Sequence, residues 1–147
     1  METFLITNED DLHRAFAIRK EIFVKEQGVP LSDEFDEFDH LEANCKHILV
    51  LHQGQAVGTG RIRTVGDTGK LERICVLEAY RKYGIGRFII DKLESIARSE
   101  GLRKVKLHGQ TQAEGFYHKL NYVTSSEIFM EDGIPHVLLT KRLSEEK

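Results

Sequence analysis

Between Lys70 and Gly101 the chain sets a strand, a glycine-containing turn and a helix end to end, and this succession constrains the fold more than any other feature of the sequence. Lys70 to Leu77 alternates as a strand does. Arg81-Lys82-Tyr83-Gly84-Ile85-Gly86 follows. Arg87 to Glu100 then carries Ile89, Leu93, Ile96 and Ala97 at helical spacing, and Gly101 stands where a left-handed C-terminal cap belongs. Glycines let a backbone approach a diphosphate closely, the free N–H groups of a first helical turn point at its oxygens, and the helix dipole adds favourable potential. Arg81, Lys82 and Arg87 add charge beside such an anion. The same glycines also suit a turn that needs them for backbone conformation alone.

Two nucleotide-binding alternatives fail. No GxxxxGK[ST] occurs, which excludes a P-loop, and Gly84-Ile85-Gly86 is followed by Ile89 where a dinucleotide fingerprint wants Gly or Ala. That fingerprint also needs a carboxylate about twenty residues on. Val105-Lys106-Leu107-His108 offers none.

Upstream, Thr3 to Thr7 reads as a strand, and Asn8 with Asp11 three residues on caps a helix. Leu12, Ala15, Phe16, Ala17, Ile22 and Phe23 give that helix its apolar face, and Gly28 and Pro30 stop it. Lys46 to His52, Ala56 to Thr64 and Lys70 to Leu77, joined by turns at Gln53-Gly54-Gln55 and Gly66 to Gly69, read as an antiparallel meander. Downstream come a strand at Val105 to His108, a short helix at Gln112 to Leu120, and closing strands at Ile128 to Phe129 and Pro135 to Lys141. The acidic stretch 32–42, with Phe35 and Phe38 interleaved, suits a short helix or ordered loop: either a solvated surface turn or a lip that selects cationic amines.

The order β-α-β-β-β-α-β-α-β-β within 147 residues predicts one α/β domain of the α+β type spanning 1–147. A formal net charge of -3 gives nucleic-acid binding no support. No apolar run approaches the ~20 residues that cross a bilayer, and Met1-Glu2-Thr3 lacks the basic start of a secretory signal, so a cytoplasmic protein without a membrane partner is expected. Cys45 and Cys75 lack the spacing of a disulfide framework or a zinc site and read as small buried hydrophobes; no metal is implied.

Arg81-x-x-Gly84-x-Gly86 after a strand, followed by Gln110 and by Phe116-Tyr117-His118-Lys119-Leu120-Asn121-Tyr122, resembles the paired signature motifs of the GNAT N-acetyltransferases. Arg19 with Phe23-Val24-Lys25-Glu26-Gln27-Gly28-Val29-Pro30, and Asp132-Gly133-Ile134-Pro135-His136, are similar to segments of its ElaA/YjcF-like branch. Two positions depart from the pattern. Asn121 replaces a glycine, a mild change because Asn also tolerates a left-handed conformation, and Gln110 replaces the usual Asn.

The resemblance implies a GNAT fold, with a mixed, mostly antiparallel sheet of six to seven strands flanked by about four helices. It implies acetyl-CoA as co-substrate. The strand Ile74-Cys75-Val76 would hold the pantetheine through backbone groups, with the Val76 N–H polarising the thioester carbonyl. Arg81, Lys82, Tyr83, Gly84, Ile85, Gly86 and Arg87 would hold the diphosphate, and Gln110 and Phe116 complete the cofactor set. Tyr117 matches the tyrosine that protonates the leaving thiolate.

Direct acetyl transfer to a primary amine follows, the acceptor being a small molecule or a peptide. An alkyl amine of pKa near 10 is only about one part in a thousand neutral at pH 7, so a base is required. Glu72 is a candidate because simple alternation places it on the face of Ile74 and Val76; pairing with Arg73 or Lys70 explains it equally. His136 is the rival. Arg19, Glu26, Gln27 and Arg61 would line the acceptor pocket, or else form buried ion pairs between the first helix and the sheet. Alternatives remain at this point: an acyl-CoA sensing domain, or a transferase using a longer acyl chain or a hydroxyl acceptor. The resemblance also leaves room for a homodimer through the last strands.

Overall fold

The computed structural model describes residues 1–143. Eight strands form one sheet: β1 (Glu2–Leu5), β2 (Lys46–His52), β3 (Gln55–Val65), β4 (Thr68–Val76), β5 (Lys104–Gln110), β6 (Val123–Thr124), β7 (Phe129–Glu131) and β8 (Ile134–Arg142). The helices are α1 (Glu9–Arg19), α2 (Leu31–Glu34), α3 (Ile85–Ser99) and α4 (Glu114–Lys119). The sheet runs β1-β2-β3-β4-β5-β8-β6, with β7 also on β8. Every pairing is antiparallel except β4 with β5. This is the mixed, mostly antiparallel α/β architecture that the sequence predicts. The strand beyond the expected seven is β6, a two-residue bridge too short to announce itself by alternation.

Local chemistry accounts for the helix ends. The Asn8 side chain accepts from the Asp11 N–H at 2.8 Å, as its position predicts. The expected single helix to Gly28 divides, however. α1 is α-helical to Arg19 and continues as a π-helical stretch over Lys20–Glu26, which widens the ladder before Gln27 caps it. Gly84, Gly101 and Asn121 all take positive φ, at 70°, 79° and 74°.

The two sheet faces carry separate cores. On one, Ile85, Ile89, Ile90, Leu93 and Ala97 of α3 cover Ile48, Val50, Ile62 and Leu71. On the other, Leu12, Ala15, Ile18 and Ile22 cover Ile6, Leu49 and Cys75. Each large aliphatic side chain so buried contributes about 1.5–3 kcal/mol. α3 lies close to β3 because Gly60 stands beneath it: a Cβ there would meet Ile89 Cγ2 at 2.8 Å. No helix among the described residues is long and apolar enough to cross a membrane.

Two irregularities of β4 position everything that follows. Its parallel pairing with β5 stops after Gly69–Leu71 with Val105–Leu107, so the two strands diverge beyond it. Against β3, Thr59 pairs with Cys75 and Arg61 with Glu72, leaving Arg73 and Ile74 opposite the single residue Gly60. That is a β-bulge, with Arg73 left-handed at φ 54°.

Candidate active site

The wedge between β4 and β5 opens into a cavity of about 660 Å³. β4 supplies Ile74 and Val76, β5 His108 and Gln110, the end of the π-helical stretch and its cap Glu26 and Gln27, the glycine turn Arg81, Gly84 and Gly86, α4 Phe116 and Tyr117, and the β7–β8 hairpin Glu131 and His136. The structure therefore brings most residues of the expected cofactor set around one space.

At the glycine turn, each glycine has its own task. Gly84 supplies the left-handed residue that starts α3, and Gly86 lets Phe116 approach, since a Cβ there would lie 3.2 Å from Phe116 Cζ. No side chain caps α3 and its first turn carries no acid, so its amides are free to meet an anion. Among the side chains assigned there, Ile85 is buried in the core. Lys82 lies over the ring of Tyr83, which stacks on His52 at 4.9 Å, and the exposed Arg87 lies 4.0 Å from Asp91. Arg81 folds inward instead: Nε donates to the Val76 carbonyl at 3.0 Å and Nη2 to Glu26 at 2.8 Å.

Deeper in the wedge, the Tyr117 ring is buried edge-on between Phe116 and Tyr122, at centroid distances of 5.1 and 5.8 Å. Gly109 makes room for it. Burial pushes the Tyr117 hydroxyl up to about 12, so it remains a proton donor at neutral pH. Gln110 spans the wedge: its Nε2 donates to Gln27 Oε1 at 2.9 Å, while its Oε1 accepts from Gln112 at 2.5 Å.

The bulge corrects the argument made for Glu72. Because Arg73 and Ile74 together oppose one residue, the alternation slips: Ile74 and Val76 pack with the α3 core, whereas Glu72 and Cys75 belong to the α1 face. Glu72 lines the cavity from that face, held by Arg61, Arg63 and Lys70 at 3.0–3.1 Å. Burial raises its carboxyl, but these cations outweigh burial and bring it down to about 2, which makes it a weak base. The expected pairing with Lys70 is present; Arg73 reaches Glu34 instead, at 3.2 Å.

His136, the other base candidate, is buried opposite Gln110 on β5 and lines the cavity. Its Nδ1 lies 2.7 Å from the Ile134 carbonyl. A carbonyl only accepts, so Nδ1 carries the hydrogen and Nε2 presents the lone pair of the neutral ring.

Arg19 and Arg61 lie outside the cavity wall. Arg19 bonds Glu34 at 2.9 Å and Asp39 at 2.6 and 3.0 Å; Arg61 bonds Asp36 at 2.8 and 2.9 Å and Asp39 at 2.9 Å. Their guanidiniums are consumed by the acidic stretch 32–42, which is neither a solvated turn nor a free anionic lip but a strap over the sheet. Phe35 stacks on Arg19 and Phe38 on Arg63, so both phenylalanines cover cations. Glu26 and Gln27 do line the cavity. The Cys75 thiol is buried toward α1, and desolvation raises it far above the ordinary range.

Sequence reasoning missed Glu131, which lies 2.8 Å from His108 Nδ1 and 3.7 Å from His136 Nε2. Asp132-Gly133 was the available signal. Asp-Gly between alternating strands marks a two-residue hairpin, and that register places Phe129 opposite His136 and Glu131 opposite Ile134.

Comparison with known proteins agrees with this fold. The model of the Acetyltransferase (GNAT) family matches residues 12–122. YyaT of Bacillus subtilis, an uncharacterized protein, is 61% identical over 95% of this chain and 94% of its own. YjcF of the same organism, an uncharacterized N-acetyltransferase, is 44% identical over 96% and 99%. The crystal structure of Escherichia coli ElaA superposes with a TM-score of 0.84 at 26% identity, covering 96% of this chain and 99% of that one.

Proposed function

This chain belongs to the acetyltransferase (GNAT) family, and from that premise we propose that it transfers the acetyl group of acetyl-CoA directly to a primary amine, with Tyr117 as acid and His136 as base. The observation that carries the reading is the wedge itself. One cavity joins the uncapped amides of α3, the edge of β4 released from β5, a buried tyrosine hydroxyl and an imidazole of defined tautomer.

The residues fit acetyl-CoA, which would supply the activated acyl thioester. The amides after Gly84 and the charge of Arg81 suit the diphosphate. Beyond Leu71 the backbone of Ile74 and Val76 is not paired with β5, which suits an extended amide-bearing arm. The Val76 N–H is then the donor for an oxyanion developing on the acyl carbon. Arg81 must leave the Val76 carbonyl for the arm to pair there, and moving outward brings its charge toward the diphosphate. Tyr117, protonated at neutral pH, donates to sulfur. His136 Nε2 takes a proton from the amine.

Two measurements on the purified protein test this. Acetyl-CoA at about 100 times its Kd raises Tm by the several degrees that roughly 2.7 kcal/mol of linkage implies, and Gly84→Asp abolishes the rise. A panel of amines, including polyamines, aminoglycosides, amino acids, amino sugars and peptides, then releases free CoA thiol with at least one member. Binding without amine-dependent thiol release would leave a CoA-binding domain and overturn the transferase reading.

A further inference from the structure

Behind His136 stands a pair of side chains that the reaction above does not use. Glu131 Oε1 lies 2.8 Å from His108 Nδ1, and Glu131 Oε2 lies 3.7 Å from His136 Nε2, so one carboxylate bridges two imidazoles on adjacent strands. Phe129 holds the group together, edge-on to His108 at 5.0 Å and stacked on His136 at 6.1 Å. Exposure rises along the series: the His136 side chain is 8% exposed, His108 30% and Glu131 41%. The three thus run from the cavity wall to solvent.

We propose that Glu131 is the outlet for the proton that His136 removes, with His108 positioning the carboxylate. The inference rests on the transferase reading, and the proton balance of that reaction demands an outlet. An alkylammonium acceptor loses two protons when its nitrogen forms the C–N bond and the C–S bond breaks. One replaces the proton that Tyr117 gives to the CoA sulfur. The other, taken up at His136 Nε2, must leave before the next turnover, yet His136 is buried and its Nδ1 is committed to the Ile134 carbonyl. Glu131 Oε2 stands 3.7 Å from Nε2, so a bridging water carries the proton to the carboxylate, from which it passes to solvent.

The charged group paired with His136 is Glu131. The other charged groups facing it are His108 on β5, Asp132 on the hairpin and, across the cavity, Glu72 and Arg73 on β4. Glu72 and Arg73 are neutralised by ion pairs of their own, as are Glu34, Glu26 and Arg81 beyond them. Glu131, 2.8 Å from His108 and reaching solvent, is therefore the acceptor open to a proton from His136.

Glu131→Gln tests this by two routes, with Tm checked first. In NMR spectra of the imidazole protons at pH 7, which need no substrate, the variant shifts the His136 signals. In steady-state kinetics the acid limb of kcat/KM moves. kcat at pH 7 falls roughly tenfold and recovers with added imidazole buffer, an external proton acceptor, while KM for acetyl-CoA is unchanged. His108→Gln gives a smaller fall with the same recovery. An unmoved acid limb, or a fall indifferent to buffer, overturns the outlet while leaving the transferase intact. A wild type that binds acetyl-CoA but turns over no amine overturns the transferase reading instead, and the His136 signals still report whether Glu131 acts on that ring.

Discussion

Single atoms bear on which of the expected residues the proposed transfer can use. Glu72 and His136 both line the cavity, but the first is tied to three cations and the second keeps a free lone pair. Tyr117 shows the same selectivity. Burial keeps its hydroxyl protonated, no described group hydrogen-bonds it, and the ring alone packs with Phe116 and Tyr122. Tyr117→Phe should therefore separate chemistry from folding. Turnover is expected to fall by about 100-fold, within the range of a general acid. The Kd for CoA, measured by calorimetry, should stay within about twofold and Tm within about 2 °C, because the fold loses no hydrogen bond worth the usual ~1 kcal/mol. Gly109→Ala is the complementary change. Its Cβ would sit 2.6 Å from Leu139 Cδ1 and 3.2 Å from Tyr117 Cε2, so it costs about 1–3 kcal/mol of stability in denaturant titration and shifts the ring as well.

At the level of elements, the sequence was legible wherever periodicity was regular. α3, the meander and the left-handed caps at Gly84, Gly101 and Asn121 follow from spacing and residue type. What escaped is irregular: the bulge at Arg73, which reverses the face of Glu72, and the π-helical continuation of α1. Neither has a local signature, since Arg73 is not a residue that favours positive φ and the π-helical segment has the composition of an ordinary helix. Tertiary pairing imposes both. The π-helical segment carries Glu26 to Arg81, and the next residue, Gln27, to Gln110, linking it to both sides of the wedge. The Glu26–Arg81 pair is partly exposed and worth about 0.2–1 kcal/mol. It holds Arg81 on the Val76 carbonyl, the group with which the proposed cofactor arm would pair. Glu26→Gln should release Arg81 and remove a negative charge near the diphosphate site, tightening CoA by about two- to fivefold at low salt. Isothermal calorimetry at two ionic strengths reads both the gain and its screening; weaker binding would show that Glu26 serves the cofactor directly.

Across the whole molecule, ion pairs tie the acidic strap to the sheet beside the cavity. Arg19 on α1 and Arg61 on β3 share Asp39, Arg61 adds Asp36, and Glu72 on β4 closes the chain. Burial works against each of these three carboxyls. The guanidiniums prevail, holding Asp36 and Asp39 below the ordinary range and Glu72 at about 2. Groups so displaced bind protons less readily folded than unfolded, so their contribution is complete above about pH 4.5 and is lost as pH falls toward about 2. For Glu72 the displacement from 4.5 is worth roughly 3 kcal/mol at neutral pH. Denaturant melts between pH 2 and 7 should show stability falling across that acid window. Glu72→Gln should be less stable at pH 7, have a shallower acid slope, and converge with the wild type near pH 2. The same protein distinguishes the two readings of Glu72. If its carboxylate serves the fold and His136 the chemistry, the variant loses stability yet keeps the acid limb of kcat/KM where the wild type has it. A limb that vanishes in Glu72→Gln, and survives in His136→Gln, would return the base to β4.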